Sequence, residues 1–345
     1  MQSELVIDGQ EIGSDKRTYI IAEIGSNHNQ NWETTQQLID KCRQAGVDAV
    51  KFQSFTVDNW LSKDFTEFPT IESDYKIRQK LRGAELSYEL YQKASEYCDD
   101  IGLTCFSTPS HKEDVDQLAK IGVPAFKFGS VQITDIPTIK HAIGYQKPII
   151  LSGGASNMSE VLHTIENISS KTEMALLHCS SLYPCENYSR VNLDVLDSYM
   201  TMFDFPVGYS DHTMDPVTVP VAAVTKGADI IEKHVTLDRS MEGPDHSFAL
   251  EPQELDRMVT AIRRTEDAIG DSYRYLLPAE DDISKLGRRS LVSTRNINEG
   301  EIIAKEDITF KRPGTGIKPE NIDIIIGRTA KEDIRENRVI TWENV

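Results

Sequence analysis

The sequence predicts a (β/α)8 barrel of the α/β class followed by a small, β-rich domain. Three observations carry that prediction. Eight short apolar runs alternate with stretches of helical spacing, the alternation occupies most of the 345 residues, and beyond about residue 285 the texture changes to short β-runs and dense turn signals. The predicted division is residues 1–285 for the barrel and 286–345 for the second domain.

The runs are YIIAEIG (19–25), AVKFQSF (49–55), LTCFSTP (103–109), AFKFGS (125–130), PIILSGG (148–154), MALLHCS (174–180), PVGYSDHT (206–213) and ADIIEKHVT (228–236). Each is rich in β-branched or aromatic residues and bounded by Gly, Ser or Pro, as strands buried on both faces of a parallel sheet are. Between the first two, TTQQLIDKCRQAG places Leu38, Ile39 and Cys42 on one helical face and closes on Gly46. ELSYELYQKASEYCDDIG and HKEDVDQLAKIG end likewise, at Gly102 and Gly122. An open doubly wound sheet is the alternative, but no GxGxxG follows the first strand. The connection over 56–86 is longer than an ordinary βα loop and predicts a lid or binding wall. The last segment carries the turn signals Asn298-Glu299-Gly300 and Pro313-Gly314, and a domain this small is expected to lean on another surface.

Charge narrows the partners. Lys and Arg number 37 against 55 Asp and Glu, a net −18 that argues against nucleic acid and anionic membrane as ligands. A local positive pocket for a small anion is compatible with that balance. No apolar run approaches the ~18 residues needed to cross a bilayer, and the N-terminus lacks a secretory pattern. Five cysteines without a CxxC pair argue against disulfide and zinc frameworks, so the expected compartment is the reducing cytoplasm.

In a barrel of this kind the active site lies where the strands end at the C-terminal face. There the sequence places Glu23, Lys51, Gln53, Thr108, Lys127, Ser130, Ser152, Ser180, Ser181, Tyr183, Ser210, His212, Lys233 and His234. Any one of these has an ordinary structural explanation; polar residues at the same end of all eight strands do not. Lys51 and Lys127 with the hydroxyls of Thr108, Ser130, Ser152 and Ser210 suit a ligand bearing phosphate or phosphate and carboxylate. His212 and His234 end adjacent strands, which places two imidazoles side by side for one exchangeable divalent metal. Glu23 is the leading acid–base candidate, with an ion pair to Lys51 as its alternative role.

The segments IAEIGSNHNQ, AVKFQSF, GLTCFSTP, AFKFGS, LLHCSSLYP, VGYSDHT, IIEKHVTLDR, GPDH and KRPGTGI run in order from residue 20 to about 317. In these the chain resembles the sialic acid synthase family, which includes legionaminate and pseudaminate synthases and spore-coat polysaccharide synthase-like proteins. The resemblance implies a (β/α)8 barrel with a C-terminal antifreeze-like (SAF) domain, in a domain-swapped homodimer where that domain covers the partner's barrel mouth. It implies a transferase that condenses phosphoenolpyruvate with an N-acyl hexosamine such as N-acetylmannosamine and releases phosphate by C–O cleavage. By the same resemblance Lys51, Thr108, Lys127, Ser130, Ser152 and Ser210 hold phosphoenolpyruvate. Gln53, Ser181, Tyr183, Asp245 and Arg312 face the sugar, Arg312 from the partner. His212 and His234 hold the metal, Mn2+ first with Mg2+ or Co2+ as alternatives, and Glu23 is the essential carboxylate.

Two departures stand on the sugar side. Neuraminate-forming members usually carry a short Gly-acid pair after the equivalent of Ser130, where this chain has Val131-Gln132, and Ser181 replaces a common asparagine. A legionaminate- or pseudaminate-type acceptor, a 2,4-diacetamido-trideoxyhexose, is therefore the alternative within the family. Outside it stand another phosphosugar aldolase or lyase and a non-catalytic carbohydrate-binding protein, the last opposed by the convergence of lysines, histidines and a glutamate at one barrel mouth.

Overall fold

The computed structural model describes residues 5–62, 79, 81–169 and 172–345. Strands β3 (Tyr19–Gly25), β4 (Ala49–Ser54), β5 (Thr104–Pro109), β6 (Phe126–Phe128), β7 (Ile149–Ser152), β8 (Met174–Cys179), β9 (Val207–Asp211) and β10 (Ile230–His234) form one closed parallel barrel, β10 pairing with β3. Each predicted run contains one of these strands. The predicted lid over 56–86 falls largely on residues 63–78 and 80, outside the described residues.

The helices follow from apolar spacing and glycine stops. Trp32–Ala45 buries Thr35, Leu38, Ile39 and Cys42, and Gly46 ends it at φ +82° with its N–H returned to the Cys42 and Arg43 carbonyls. Gly102 and Gly122 end Tyr88–Ile101 and Lys112–Ile121 in the same left-handed conformation, which a residue without Cβ adopts freely.

Because side chains alternate along a strand, every barrel strand feeds two cores. Outward residues such as Ile20, Ala22, Val50, Phe52, Leu151 and Ile231 pack beneath the helices. Inward residues Tyr19, Ile21, Ala49, Phe106, Ala125, Ile150, Ala175, Leu177 and Ile230 form a separate cluster with Leu5, Ile7 and Ile12. Those last three come from a hairpin, β1 (Leu5–Ile7) and β2 (Gln10–Ile12), that precedes the barrel and joins its interior cluster with apolar side chains. The hairpin is not among the predicted runs, although Asp8-Gly9, both at positive φ, is a strong two-residue turn signal.

The chain divides into two compact units, one ending at Gly270 and the other Asp271–Val345. The second has its own core of Leu291, Ile297, Ile303, Ile308, Ile317, Ile325, Ile334 and Ile340. Its strands β11 (Ser290–Ser293) and β12 (Ile308–Lys311) pair antiparallel, and isolated bridges tie Val292 to Val339, Ile297 to Ile334 and Ile302 to Thr329. It also takes in a helix at Asp281–Gly287, ahead of the β segment. All five cysteines are free and buried, and no described helix is long and apolar enough to cross a membrane.

The hairpin is expected to contribute fold stability rather than chemistry. Ile7→Ala, which opens a cavity at a fully buried position, is expected to cost about 2–5 kcal/mol in urea unfolding.

Candidate active site

Register decides which polar residues meet. Glu23 lies beside His234 on one side and Lys51 on the other; Gln53 pairs with Thr108, and Ser210 with both Cys179 and Glu232. Each is the last or next-to-last inward position of its strand, so the interior that is apolar lower down becomes polar at the C-terminal end.

The lysines are built into this layer and are not rim charges. Lys51 is 3% exposed and Lys127 1%. Lys51 Nζ is paired with Glu23 Oε2, donates to Thr108 Oγ1 at 3.0 Å, and lies 3.8 Å from Glu232 Oε2. Lys127 Nζ donates to Ser152 Oγ at 2.6 Å and to the Phe128 carbonyl at 3.0 Å, and lies 3.7 Å from Glu232 Oε1. Burial pulls the Lys51 ammonium down to about 7, and the Glu232 carboxylate opposes that pull. Burial alone would raise Glu232, but Lys127 and Lys51 hold its carboxyl down to about 2, helped by Ser210 Oγ donating to Oε1 at 2.9 Å.

Glu23 stands at a seam. Its Oε2 faces Lys51, while Gln53 Nε2 approaches Oε1 at 3.5 Å. The strand bulges between Glu23 and Gly25, and Gly25 sits at φ +55°. A Cβ there would come within 3.0 Å of both Glu23 Oε1 and Asp245 Oδ2, so the missing side chain is what lets Glu23, Gln53 and Asp245 converge. Ser26 Oγ donates to Asp245 Oδ2 at 3.0 Å, and burial raises the Asp245 carboxyl. The ion pair expected as Glu23's alternative role is thus present beside the contact to the sugar-side candidates.

Ser130 and Ser181 meet over a second glycine. A Cβ on Gly154 would lie 2.7 Å from Ser130 Oγ and 2.5 Å from Ser181 Oγ, closer than any real contact. Cys179, which the sequence analysis did not select, completes this wall with Sγ 3.8 Å from Ser181 Oγ and 3.6 Å from His212 Nδ1.

The two histidines have ring centroids 5.5 Å apart. His212 Nδ1 donates to the Ser180 carbonyl at 3.0 Å, which leaves the Nε2 lone pair free. His234 Nδ1 is buried with no hydrogen-bond partner. Burial, aided by His234, pulls His212 down to about 4; burial and the nearby Lys51 pull His234 to about 3. Both are therefore neutral at physiological pH. Neutral imidazoles this close, one with a free lone pair and one with an orphaned nitrogen, have the donor chemistry that could hold a single cation. Among the described residues no cluster of three or more His, Cys, Asp and Glu is arranged for a metal, so oxygen ligands would have to come from substrate and water. The Tyr183 ring lies 4.1 Å from His212, tilted by 44°, and Phe248 lies 5.1 Å from His234, walling the pair.

Two residues correct the sequence reading. Lys233 does not join the mouth: it points outward and pairs with Asp211, because adjacent residues of a strand cannot both face the interior. Glu232, overlooked beside it, does face inward, and the parity of Ile230, Glu232 and His234 in IIEKH is the signal that would have found it. Arg312 belongs to the second unit, where it is exposed and, among the described residues, without an ion-pair partner.

Comparison with known proteins places this geometry. The NeuB family model matches residues 38–274 and the SAF domain model residues 288–345. The protein MJ1065 of Methanocaldococcus jannaschii is 38% identical, with 99% of this chain and 98% of that one covered. The N,N'-diacetyllegionaminic acid synthase of Legionella pneumophila is 35% identical over 96% of each chain. The crystal structure of N-acetylneuraminic acid synthetase from Leptospira borgpetersenii aligns with a TM-score of 0.74 at 29% identity, covering 82% of this chain and 95% of that one.

The charge layer makes stability pH-dependent in a defined direction. The carboxyl of Glu232 falls from an ordinary 4.5 to about 2, so its favourable contribution is complete above about 4.5 and is lost as pH drops toward 2. Glu232→Gln leaves two buried lysines short of a counter-charge and is expected to cost about 3–5 kcal/mol at neutral pH. Urea unfolding between pH 2 and 7 checks both points: the wild type should lose stability over the acid limb more steeply than the variant.

Proposed function

The chain belongs to the NeuB family and ends in a SAF domain, and from that premise we propose that it condenses phosphoenolpyruvate with an N-acyl amino sugar. The product is a nine-carbon, sialic-acid-type acid, and phosphate is released. The observation that carries this reading is the pair of buried lysines sharing Glu232 at one barrel end, beside two neutral histidines. Such a site is built for a compact polyanion next to an electrophile.

In the reaction Lys51 and Lys127 exchange contacts with Glu23 and Glu232 for contacts with the carboxylate and phosphate of phosphoenolpyruvate. Thr108, Ser130, Ser152 and Ser210 supply short hydroxyl donors around it. Gln53, Ser181, Tyr183 and Asp245 orient the open-chain sugar on the other side of Glu23. A divalent cation, Mn2+ in the first place and Mg2+ or Co2+ otherwise, would be held by His212 and His234 and would supply Lewis-acid polarisation of the sugar carbonyl. C3 of phosphoenolpyruvate then attacks that carbon, leaving cationic character at C2. Glu23, at the seam between the two subsites, orients the water that adds at C2, and the C–O bond to phosphate breaks. Holding both substrates in one dry mouth removes much of the entropic barrier, up to ~7–11 kcal/mol in favourable cases.

For the acceptor, a 2,4-diacetamido sugar is favoured over N-acetylmannosamine by what replaces the Gly-acid pair. Gln132 is occupied, its Oε1 accepting from Gly129 N at 2.7 Å and its Nε2 donating to the Pro109 carbonyl at 2.6 Å. Val131 is 73% exposed and apolar. Neither offers a carboxylate to a sugar hydroxyl, which agrees with an acceptor that exchanges hydroxyls for methyl and acylamino groups. The similarity to a diacetyllegionaminic acid synthase points the same way. Arg312 is read as the residue a second copy would lend to the mouth in a domain-swapped dimer, where it would meet the N-acyl group.

Phosphate release and product mass test the whole reading. Protein with phosphoenolpyruvate and Mn2+ is offered N-acetylmannosamine, its 6-phosphate and 2,4-diacetamido-trideoxyhexoses; a nine-carbon acid formed from a diacetamido sugar is expected. No product with any acceptor would overturn the reaction class, and product from N-acetylmannosamine alone would overturn the acceptor. In a separate comparison Glu23→Gln is expected to bind phosphoenolpyruvate within a fewfold of the wild type by calorimetry while turnover falls at least about 100-fold. Undiminished turnover removes Glu23 from the mechanism.

A further inference from the structure

Asp211 and Lys233 take no part in the chemistry above, yet each immediately precedes one of the paired histidines. They are lateral partners on β9 and β10, both 1% exposed, and they lie on the barrel's outward face. Lys233 Nζ donates to Asp211 Oδ2 at 2.5 Å, to the Thr213 carbonyl, and to Thr213 Oγ1 and the Asp215 carbonyl at 3.3 Å each. Asp211 accepts in turn from Thr213 N at 2.9 Å and Thr213 Oγ1 at 3.0 Å.

The placement has a mechanical consequence. Strand β9 ends at Asp211, so His212 is the first residue beyond the regular ladder, whereas His234 is the last residue within β10. His212 has its own tethers, Nδ1 to the Ser180 carbonyl and its carbonyl to Cys185 N. Those fix it to the β8 side only. Beyond the backbone ladder, which ends at Asp211 and Lys233, the side-chain link from His212 across to the strand that carries His234 is the Asp211–Lys233 pair, which also gathers the turn at 213–215. Two apolar side chains would fill the same volume without a directional bond across the strands.

We propose that Lys233 and Asp211 are positioning residues for the His212–His234 pair: from behind the barrel wall they hold the two imidazoles at the separation one divalent cation spans. The inference rests on the reading of that pair as the cation site.

The test is Mn2+ affinity of the substrate-free protein, measured by the paramagnetic resonance of unbound Mn2+, with circular dichroism as the check of fold. The double variant Asp211→Asn/Lys233→Met, which keeps one acceptor for Thr213, is expected to bind Mn2+ at least about tenfold more weakly. Lys233→Arg, which keeps the charge and its directional bonds, is expected to stay within about threefold of the wild type. If the double variant does not fold, Asp211→Glu carries the test, since one extra methylene moves the pair without removing it, and a weakened affinity is again expected. Wild-type affinity in a folded double variant or in Asp211→Glu overturns the proposal. His234→Ala separates the two levels. If it binds Mn2+ like the wild type, the cation reading fails and the positioning role with it. If it loses Mn2+ while the pair variants do not, the positioning role alone is wrong.

Discussion

Two lysines and two glutamates buried at one end of a barrel are the constraint on which the rest depends. Glu23, Lys51, Glu232 and Lys127 sum to zero charge, and each is at most 5% exposed. Burying one such group alone would cost several kcal/mol; burying the set is tolerable only if every partner arrives in register. Glu23 opposite Lys51 and Glu232 opposite Ser210 are direct consequences of strand pairing. The barrel's closure therefore secures the charge layer. That layer in turn keeps a site that is ready to trade its internal carboxylates for those of a ligand. The net charge of −18 belongs to the whole chain, whereas the two lysines concentrate positive charge in one buried layer.

The two ends of the barrel interior divide the work. At the N-terminal end Tyr19, Ile21, Phe106 and Ile230 form an apolar cluster with Leu5, Ile7 and Ile12 from the hairpin. At the other end the same strands present Glu23, Lys51, Lys127, Ser210 and His234. Hydrophobic burial at one end offsets the cost of a polar layer at the other. Function is thereby paired with a local liability: the orphaned His234 Nδ1 and the Glu232 Oε2 without a hydrogen bond sit among the active groups.

What the sequence made legible is what depends on local pattern. The eight strands and the glycine stops at Gly46, Gly102 and Gly122 follow from runs and spacing, and so does the set of polar residues at strand ends. Strand parity was the finer signal left unread. Lys233 and His234 are neighbours in sequence and so must face opposite sides, which removes Lys233 from the mouth and brings Glu232 in. The hairpin escaped because its strands are only 3 residues each, too short for periodicity, although its Asp-Gly turn was visible. The meeting of Ser130 with Ser181 was not readable at all, since it depends on Gly154 having no side chain between two loops that are distant in sequence.

That distinction between strand and loop also orders the chemistry. The residues read as holding phosphoenolpyruvate are mostly strand positions, fixed by ladder hydrogen bonds, and a change at any of them disturbs a neighbour in the charge layer. Of the residues read as facing the sugar, Gln53 is a β4 position, and the others lie on segments that follow strands: Ser181 and Tyr183 after β8, Asp245 well beyond β10 and Arg312 after β12. The Val131-Gln132 departure sits on such a segment after β6. There the Gln132 side chain bridges Gly129 to the Pro109 carbonyl and, with the backbone bonds from Gln132 N to Gly129 and Ile133 N to Ser130, holds the turn. Val131 is consequently free of structural duty, exposed on a turn whose shape its side chain does not determine. The register that aligns the lysines never passes through that loop, so the residue at 131 can vary without disturbing the charge layer.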